Sequence, residues 1–210
     1  MVTRNGFYVA VTLLAIAIST EANDVKVSWI YNGREDLVAS SSVGLFYRDL
    51  PVALRLNDKM TLRDIFAEVQ EQVKNGIKYS CYPYNEIDSQ VVEGDDTCVL
   101  YQRDLREVGD FGGLDVKQMD IRQNKAASQA VLDIQILDGE AGLEYVFDYA
   151  ASRYEQETMN KFRNLFKRVV ATIVNNINTD GYDFEHLKKD VCGKKGLLQK
   201  IKDIFADKKQ

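Results

Sequence analysis

The sequence has few of the residues on which common catalytic and metal sites depend. It contains one histidine, His186, two prolines and three cysteines among 210 residues. A single imidazole excludes a histidine-rich metal site and any mechanism that needs two histidines from this chain. No phosphate-binding G-x-x-x-x-G-K-S/T loop, G-x-G-x-x-G dinucleotide motif or G-x-S-x-G nucleophile motif occurs. The acids Asp95, Asp96 and Asp110 lack the ligand spacing of a hard-cation site and are interpreted as solvated loop residues.

The charge and the hydrophobic runs exclude two further classes of partner. Lys and Arg total 27 against 32 acids, a net charge of −5, and no basic stripe is present, so we expect no nucleic-acid partner. The longest apolar run, residues 7–18, is too short to cross a bilayer, and we expect no membrane partner. This run fits either a buried core helix or the apolar region of a signal peptide, which would give a secreted protein with residues 1–22 removed.

The three cysteines predict neither a zinc site nor a redox pair. Cys81, Cys98 and Cys192 are widely separated, odd in number and form no C-x-x-C motif. An odd set of unpaired thiols is typical of a reducing compartment. We therefore expect free thiols and a cytoplasmic protein.

Hydrophobic periodicity predicts three long helices. The first covers residues 2–20 and is apolar on most faces. The second opens at Thr61, where Thr61 and Asp64 resemble a capping box, and carries apolar residues at three- and four-residue spacing to Ile77. The third runs from about Gln156 to Asn176, and its apolar stripe ends with Ile173 and Val174.

Strands fill much of the chain between these helices. Residues 24–31, 97–102, 130–137 and 143–149 are rich in β-branched and aromatic residues, and residues 138–142 form a hairpin loop. Residues 43–47 and 50–56 form another extended stretch, in which Pro51 indicates a sheet edge. The order of elements predicts an α/β sandwich, a mixed β-sheet flanked by helices. The Lys-rich residues 178–210 are interpreted as a linker or appended short helices outside the core.

A series of short motifs occurs in a characteristic order. They are Gly33-Arg34, V-G-L-F-Y-R-D-L at 43–50 followed by Arg55, Met60-Thr61-Leu62, Tyr82-Pro83-Tyr84, Leu132-Asp133-Ile134, Leu143-Glu144-Tyr145 and Glu157-Thr158. In this order and spacing, residues 3–175 resemble the C-terminal half, or second lobe, of a condensation domain from nonribosomal peptide synthetases. The resemblance favours a core helix over a signal peptide at residues 7–18.

The resemblance implies a fold, a set of partners and a limit on activity. It implies a chloramphenicol-acetyltransferase-like lobe at residues 1–177, packed in the whole domain against an upstream lobe that carries the catalytic H-H-x-x-x-D-G motif. Carrier proteins would bring the acyl groups on phosphopantetheine arms, and an adenylation domain would be adjacent. The chain itself would bind no cofactor, would be inactive alone, and would self-associate through the surface that its partner lobe normally covers.

The same resemblance points to residues at the tunnel or the lobe interface. The candidates are Gly33, Arg34, Gly44, Phe46, Arg48, Asp49, Tyr82 and Pro83. Arg34 is expected to position backbone or to pair with an internal carboxylate. Arg48-Asp49 replaces the usual Asn-Thr, which favours an alternative hypothesis, a catalytically dead lobe that only binds carrier proteins.

No residue of this chain is predicted to be catalytic or to bind a metal. His186 begins a segment, His186-Leu-Lys-Lys-Asp-Val-Cys-Gly193, that partly resembles the catalytic motif. It follows the expected core and lies in a Lys-rich stretch. We therefore interpret it as an exposed histidine on a helix face.

Overall fold

The computed structural model describes residues 2–34, 41–82, 97–103, 112–114, 131–139 and 142–193. These residues form four helices and five strands. In chain order they are α1 (Arg4–Thr20), β1 (Asp24–Tyr31), β2 (Arg48–Arg55), α2 (Leu62–Lys78), β3 (Thr97–Arg103), β4 (Leu132–Gly139), β5 (Gly142–Tyr149), α3 (Gln156–Asn176) and α4 (Phe184–Cys192).

The five strands form one mixed sheet in the order β2-β1-β3-β4-β5. The outer pairs β1–β2 and β4–β5 are antiparallel, while β3 runs parallel to both β1 and β4. The hairpin β4–β5 and the mixed sheet confirm the predicted fold class. Pro51 lies on β2, an outer strand of the described sheet, as its missing N–H requires.

Helix α1 is the centre of the core. Thr3 caps its first turn by accepting a hydrogen bond from the Gly6 N–H, and 12 of its 17 residues are buried. It contacts α2, α3, β1 and β3, which explains why apolar residues surround its whole circumference. The structure thus places residues 7–18 in the core. Removing residues 1–22 would remove the helix that packs on the centre of the sheet.

Helices α2 and α3 have one apolar face each, as their periodicity predicts. Thr61 and Asp64 form the expected capping box of α2. Helix α3 has the predicted bounds and buries Met159, Phe162, Leu165, Phe166, Val169 and Ile173. Val174 was expected in this apolar stripe, but 57% of its surface is exposed. It follows Ile173 by one residue, a turn of about 100° that carries it off the buried face.

The structure differs from the expectation that the chain leaves the core after residue 177. Helix α4 is one of the predicted short helices, but it buries Phe184, Leu187, Val191 and Cys192 in the common core. Its entrance is joined to the start of α2, because the Leu62 N–H donates to the Tyr182 carbonyl at 2.9 Å and the Phe184 N–H to the Met60 carbonyl at 2.9 Å. Phe184, Leu187 and Val191 have helical spacing in the sequence, but the high lysine content of the segment led to the expectation that it lies outside the core. Residues 194–210 lie outside the described part.

The thiols and the helix lengths can be compared with the sequence predictions. All three cysteines are free; Cys98 and Cys192 are buried and Cys81 is exposed. Of the helices in the described ranges, none combines the length and hydrophobicity that a membrane span requires.

Candidate functional site

The candidate site begins at Gly33, just beyond the end of β1. Its backbone φ is +65°, in the left-handed region that favours glycine. A Cβ atom here would lie 2.2 Å from the Phe46 carbonyl oxygen. Both facts require glycine, because the segment that precedes β2 approaches this backbone too closely for any side chain.

Arg34 holds the segment that leads into β2. Its Nη1 donates to the Ser42 carbonyl at 2.9 Å and its Nη2 to the Gly44 carbonyl at 2.6 Å. The guanidinium carbon lies 4.5 Å from the centre of the Phe46 ring, a cation–π contact. These contacts are those of a residue that positions backbone. We call Gly33, Arg34 and residues 42–47 together the arginine clamp.

The clamp presents apolar side chains to solvent. Val43, Leu45 and Tyr47 alternate along the segment and are 105%, 77% and 47% exposed, whereas the intervening Phe46 is half-buried beneath Arg34. We call these three residues the apolar loop. Three exposed large apolar side chains within five residues are typical of an interaction surface.

Tyr79 and Tyr82 extend this end of the molecule. Helix α2 runs antiparallel to β2, since Gln72 bonds to Ala53 and Gly76 packs against Leu50. The end of α2 therefore lies beside the start of β2. Tyr79 and Tyr82 follow there and are 62% and 51% exposed. The next candidate, Pro83, lies outside the described residues, as does the adjacent Tyr84.

Arg48 and Asp49 occupy the first two positions of β2. Arg48 is exposed, and its Nη1 donates to the carbonyls of Phe46 and Tyr47 at 3.0 and 3.1 Å. Asp49 is half-buried and pairs in register with Ile30. Consecutive strand residues point to opposite faces of a sheet, so the two charges serve different surfaces.

His186 lies far from the clamp, in the first turn of α4. Asp183 caps that turn: it accepts from the His186 backbone N–H at 2.9 Å, and its Oδ1 lies 2.6 Å from the imidazole Nδ1. The backbone hydrogen bond is the main cause that lowers the pKa of Asp183. The imidazole is 57% exposed, as expected of a helix-face histidine. Helix α2 has 17 residues and is about 25 Å long, and it separates α4 at its start from the clamp at its end.

Comparison with known proteins identifies the family. A model of the condensation domain matches residues 1–189. The chain belongs to the condensation-domain family. Bacitracin synthase 3 from Bacillus licheniformis is 23% identical over 196 residues, which are 90% of this chain and 3% of that protein.

Solved structures confirm that this condensation-domain chain has the family fold. A four-domain nonribosomal peptide synthetase bound to AMP and glycine aligns with a TM-score of 0.70 at 14% identity, over 86% of this chain and 15% of that one. The condensation domain of the Monacolin K polyketide synthase aligns with a TM-score of 0.70 at 13% identity, over 87% of this chain and 43% of that one. The chain thus spans less than half the length of each of these three proteins.

A polar cluster that the sequence did not reveal lies where α1 begins. The Tyr101 hydroxyl donates to Asp138 at 2.6 Å, and Arg4 donates to both. Tyr8 stacks on Tyr101 with ring centres 5.6 Å apart, and its hydroxyl lies 3.5 Å from that of Tyr145. Burial raises the pKa of Tyr8. The five residues come from four elements, so no local spacing signals them.

The cluster ties α1 to the sheet of this condensation-domain chain. Tyr101 and Asp138 lie near the carboxyl ends of the parallel strands β3 and β4, and the first turn of α1 carries Arg4 across them. In the described ranges, no group of three or more side chains could hold a metal ion.

Proposed function

We propose that this chain is the second lobe of a peptide-bond-forming condensation domain of a nonribosomal peptide synthetase. The proposal depends on one observation: the chain belongs to the condensation family but has no H-H-x-x-x-D-G motif. Its only histidine, His186, cannot supply that motif. The chain aligns with 43% of a solved condensation-domain chain, a share that supports one lobe out of two. The catalytic imidazole would then belong to the other lobe.

The apolar loop supports a lobe–lobe contact. Val43, Leu45 and Tyr47 project from a segment whose backbone is fixed by Arg34, so their positions are set before a partner binds. Preorganised apolar side chains lose less conformational entropy on association. We propose that the apolar loop faces the upstream lobe and borders the tunnel between the two lobes.

The proposed mechanism assigns this chain a shaping role. In condensation an amine attacks the carbonyl carbon of a thioester, and the oxyanion that develops needs stabilisation. Collapse of this intermediate forms the amide and breaks the C–S bond, and the proton that the amine loses leaves on the phosphopantetheine thiol. The upstream lobe would handle the proton, while the clamp would define one wall of the tunnel. Carrier proteins would dock from opposite sides and bring amine and thioester together on phosphopantetheine arms. An adjacent adenylation domain and a cytoplasmic setting complete the proposal.

The decisive experiment measures dipeptide formation. The chain is mixed with two loaded carrier proteins, with and without a separately produced upstream lobe, and the products are identified by mass spectrometry. We expect product only when both lobes are present. Turnover by this chain with carrier proteins alone would overturn the proposal.

A second candidate function is a catalytically dead lobe that binds carrier proteins. Arg48 favours it, because a cation bonded to the Phe46 and Tyr47 carbonyls stands where the family has a neutral side chain. The double substitution Arg48→Asn, Asp49→Thr in a reconstituted two-lobe protein separates the two functions. Activity that appears only in the substituted protein would show that the natural lobe is inactive. Activity in both proteins would reject this candidate.

A further inference from the structure

Strand β2 exposes an edge on which another strand could add. Its partner β1 occupies one side only, and β2 is the outer strand of the described sheet. Along an antiparallel strand, successive residues direct their backbone groups alternately toward the partner and away from it. The apolar loop leads directly into this edge. An exposed edge beside exposed apolar residues is a site where a second copy of a chain readily adds.

Gln72 of α2 occupies the middle of that edge. Its Oε1 accepts from the Ala53 N–H at 3.0 Å, and its Nε2 donates to the Ala53 carbonyl at 2.7 Å. One carboxamide therefore satisfies both outward backbone groups of Ala53, as a neighbouring strand would. By alternation, Pro51 also faces outward, and it has no N–H to offer.

We infer that Gln72 and Pro51 together close the β2 edge to strand addition by a second copy of this chain. Asp49, Pro51, Ala53 and Arg55 are the residues with outward backbone groups. The two central residues cannot pair freely with an added strand: the backbone groups of Ala53 already bond to the Gln72 amide, and Pro51 has no N–H to donate. An incoming strand would have to displace Gln72 and would still lack one hydrogen bond. Self-association is thereby directed away from the sheet edge.

The test compares Gln72→Ala with Asn75→Ala. Both remove a carboxamide from α2, but among the described residues the Asn75 side chain bonds only to Glu71, on its own helix. Both variants carry Val43→Ser and Leu45→Ser, so that contacts through the apolar loop do not obscure the result. Amide hydrogen exchange at Ala53 and sedimentation velocity over a range of concentrations are measured for each.

At concentrations where the chain is monomeric, we expect the Ala53 amide to exchange about tenfold faster in Gln72→Ala, since its acceptor is lost. At higher concentrations we also expect a population of larger species in which the Ala53 amide is protected again, because a strand added at this edge would supply the lost acceptor. Adding Pro51→Val should enlarge that population further. Asn75→Ala should leave both measurements unchanged. Equal exchange rates and equal sedimentation in the two variants would overturn the inference, and so would association of Gln72→Ala that leaves the Ala53 amide exchanging as fast as it does in the monomer. Neither result depends on whether the chain is a second lobe.

Discussion

Replacing Leu187 by alanine tests whether α4 belongs to the folded core. Leu187 has no exposed surface and packs within the common core cluster. Truncating a fully buried leucine removes its transfer free energy and leaves a cavity, at a cost of about 2 to 5 kcal/mol. For a chain of this size, that loss lowers the melting temperature by about 4 to 20 °C. Urea unfolding followed by far-UV circular dichroism measures the free energy of unfolding directly.

Lys189→Ala is the matched control on the same helix. Its side chain is 65% exposed, and its ion pair with Glu185 lies at the surface. Such pairs contribute about 1 kcal/mol or less, so the control should unfold almost like the unmodified chain. If Leu187→Ala also unfolds within about 0.5 kcal/mol of the unmodified chain, α4 is not coupled to the core and is the peripheral linker that the lysine content suggests.

Three further outcomes follow from the clamp and from α4. Gly33→Ala should destabilise the chain by about 1 to 3 kcal/mol in urea unfolding, because it combines a φ of +65° with a clash against the Phe46 carbonyl; an unchanged midpoint would contradict the geometry. Arg34→Lys should speed limited proteolysis within residues 41–47 several-fold, because one ammonium group cannot reproduce the two hydrogen bonds of the guanidinium. An equal cleavage rate would show that other contacts hold this segment in place. The pKa of Asp183 is lower in the folded chain, so its contribution to stability is present at neutral pH and is lost as the pH falls below about 4. The stability difference between the unmodified chain and Asp183→Asn should therefore shrink between pH 7 and pH 3, and a constant difference would refute this assignment.

Local signals in the sequence were sufficient for most elements. The Thr61 cap placed the start of α2, the apolar repeat placed both ends of α3, and Pro51 marked an edge strand. These features depend on hydrogen bonds and side-chain spacing within a few residues, which the sequence records directly. The order of motifs also predicted the condensation family, which the family model confirms.

The sequence predicted only part of the candidate site. Gly33, Arg34, Gly44 and Phe46 were selected as motif residues, and the structure brings them into one clamp. Their roles in a tunnel or a lobe interface stay predictions. The sequence did not predict that the apolar loop is an exposed surface. Apolar residues in an extended segment give the same sequence pattern whether their side chains pack in a sheet or face solvent.

The sequence by itself determined which segments form helices and strands, and which family the chain resembles. Only the tertiary structure decided that α4 joins the core, that Gln72 caps the backbone of Ala53, and that Arg4, Tyr101 and Asp138 meet. The physical reason is the range of the contacts. A helix or a cap depends on neighbours three or four residues away, whereas these contacts join residues between 19 and 134 positions apart. No local pattern encodes such pairs, because they exist only once the sheet and helices have packed.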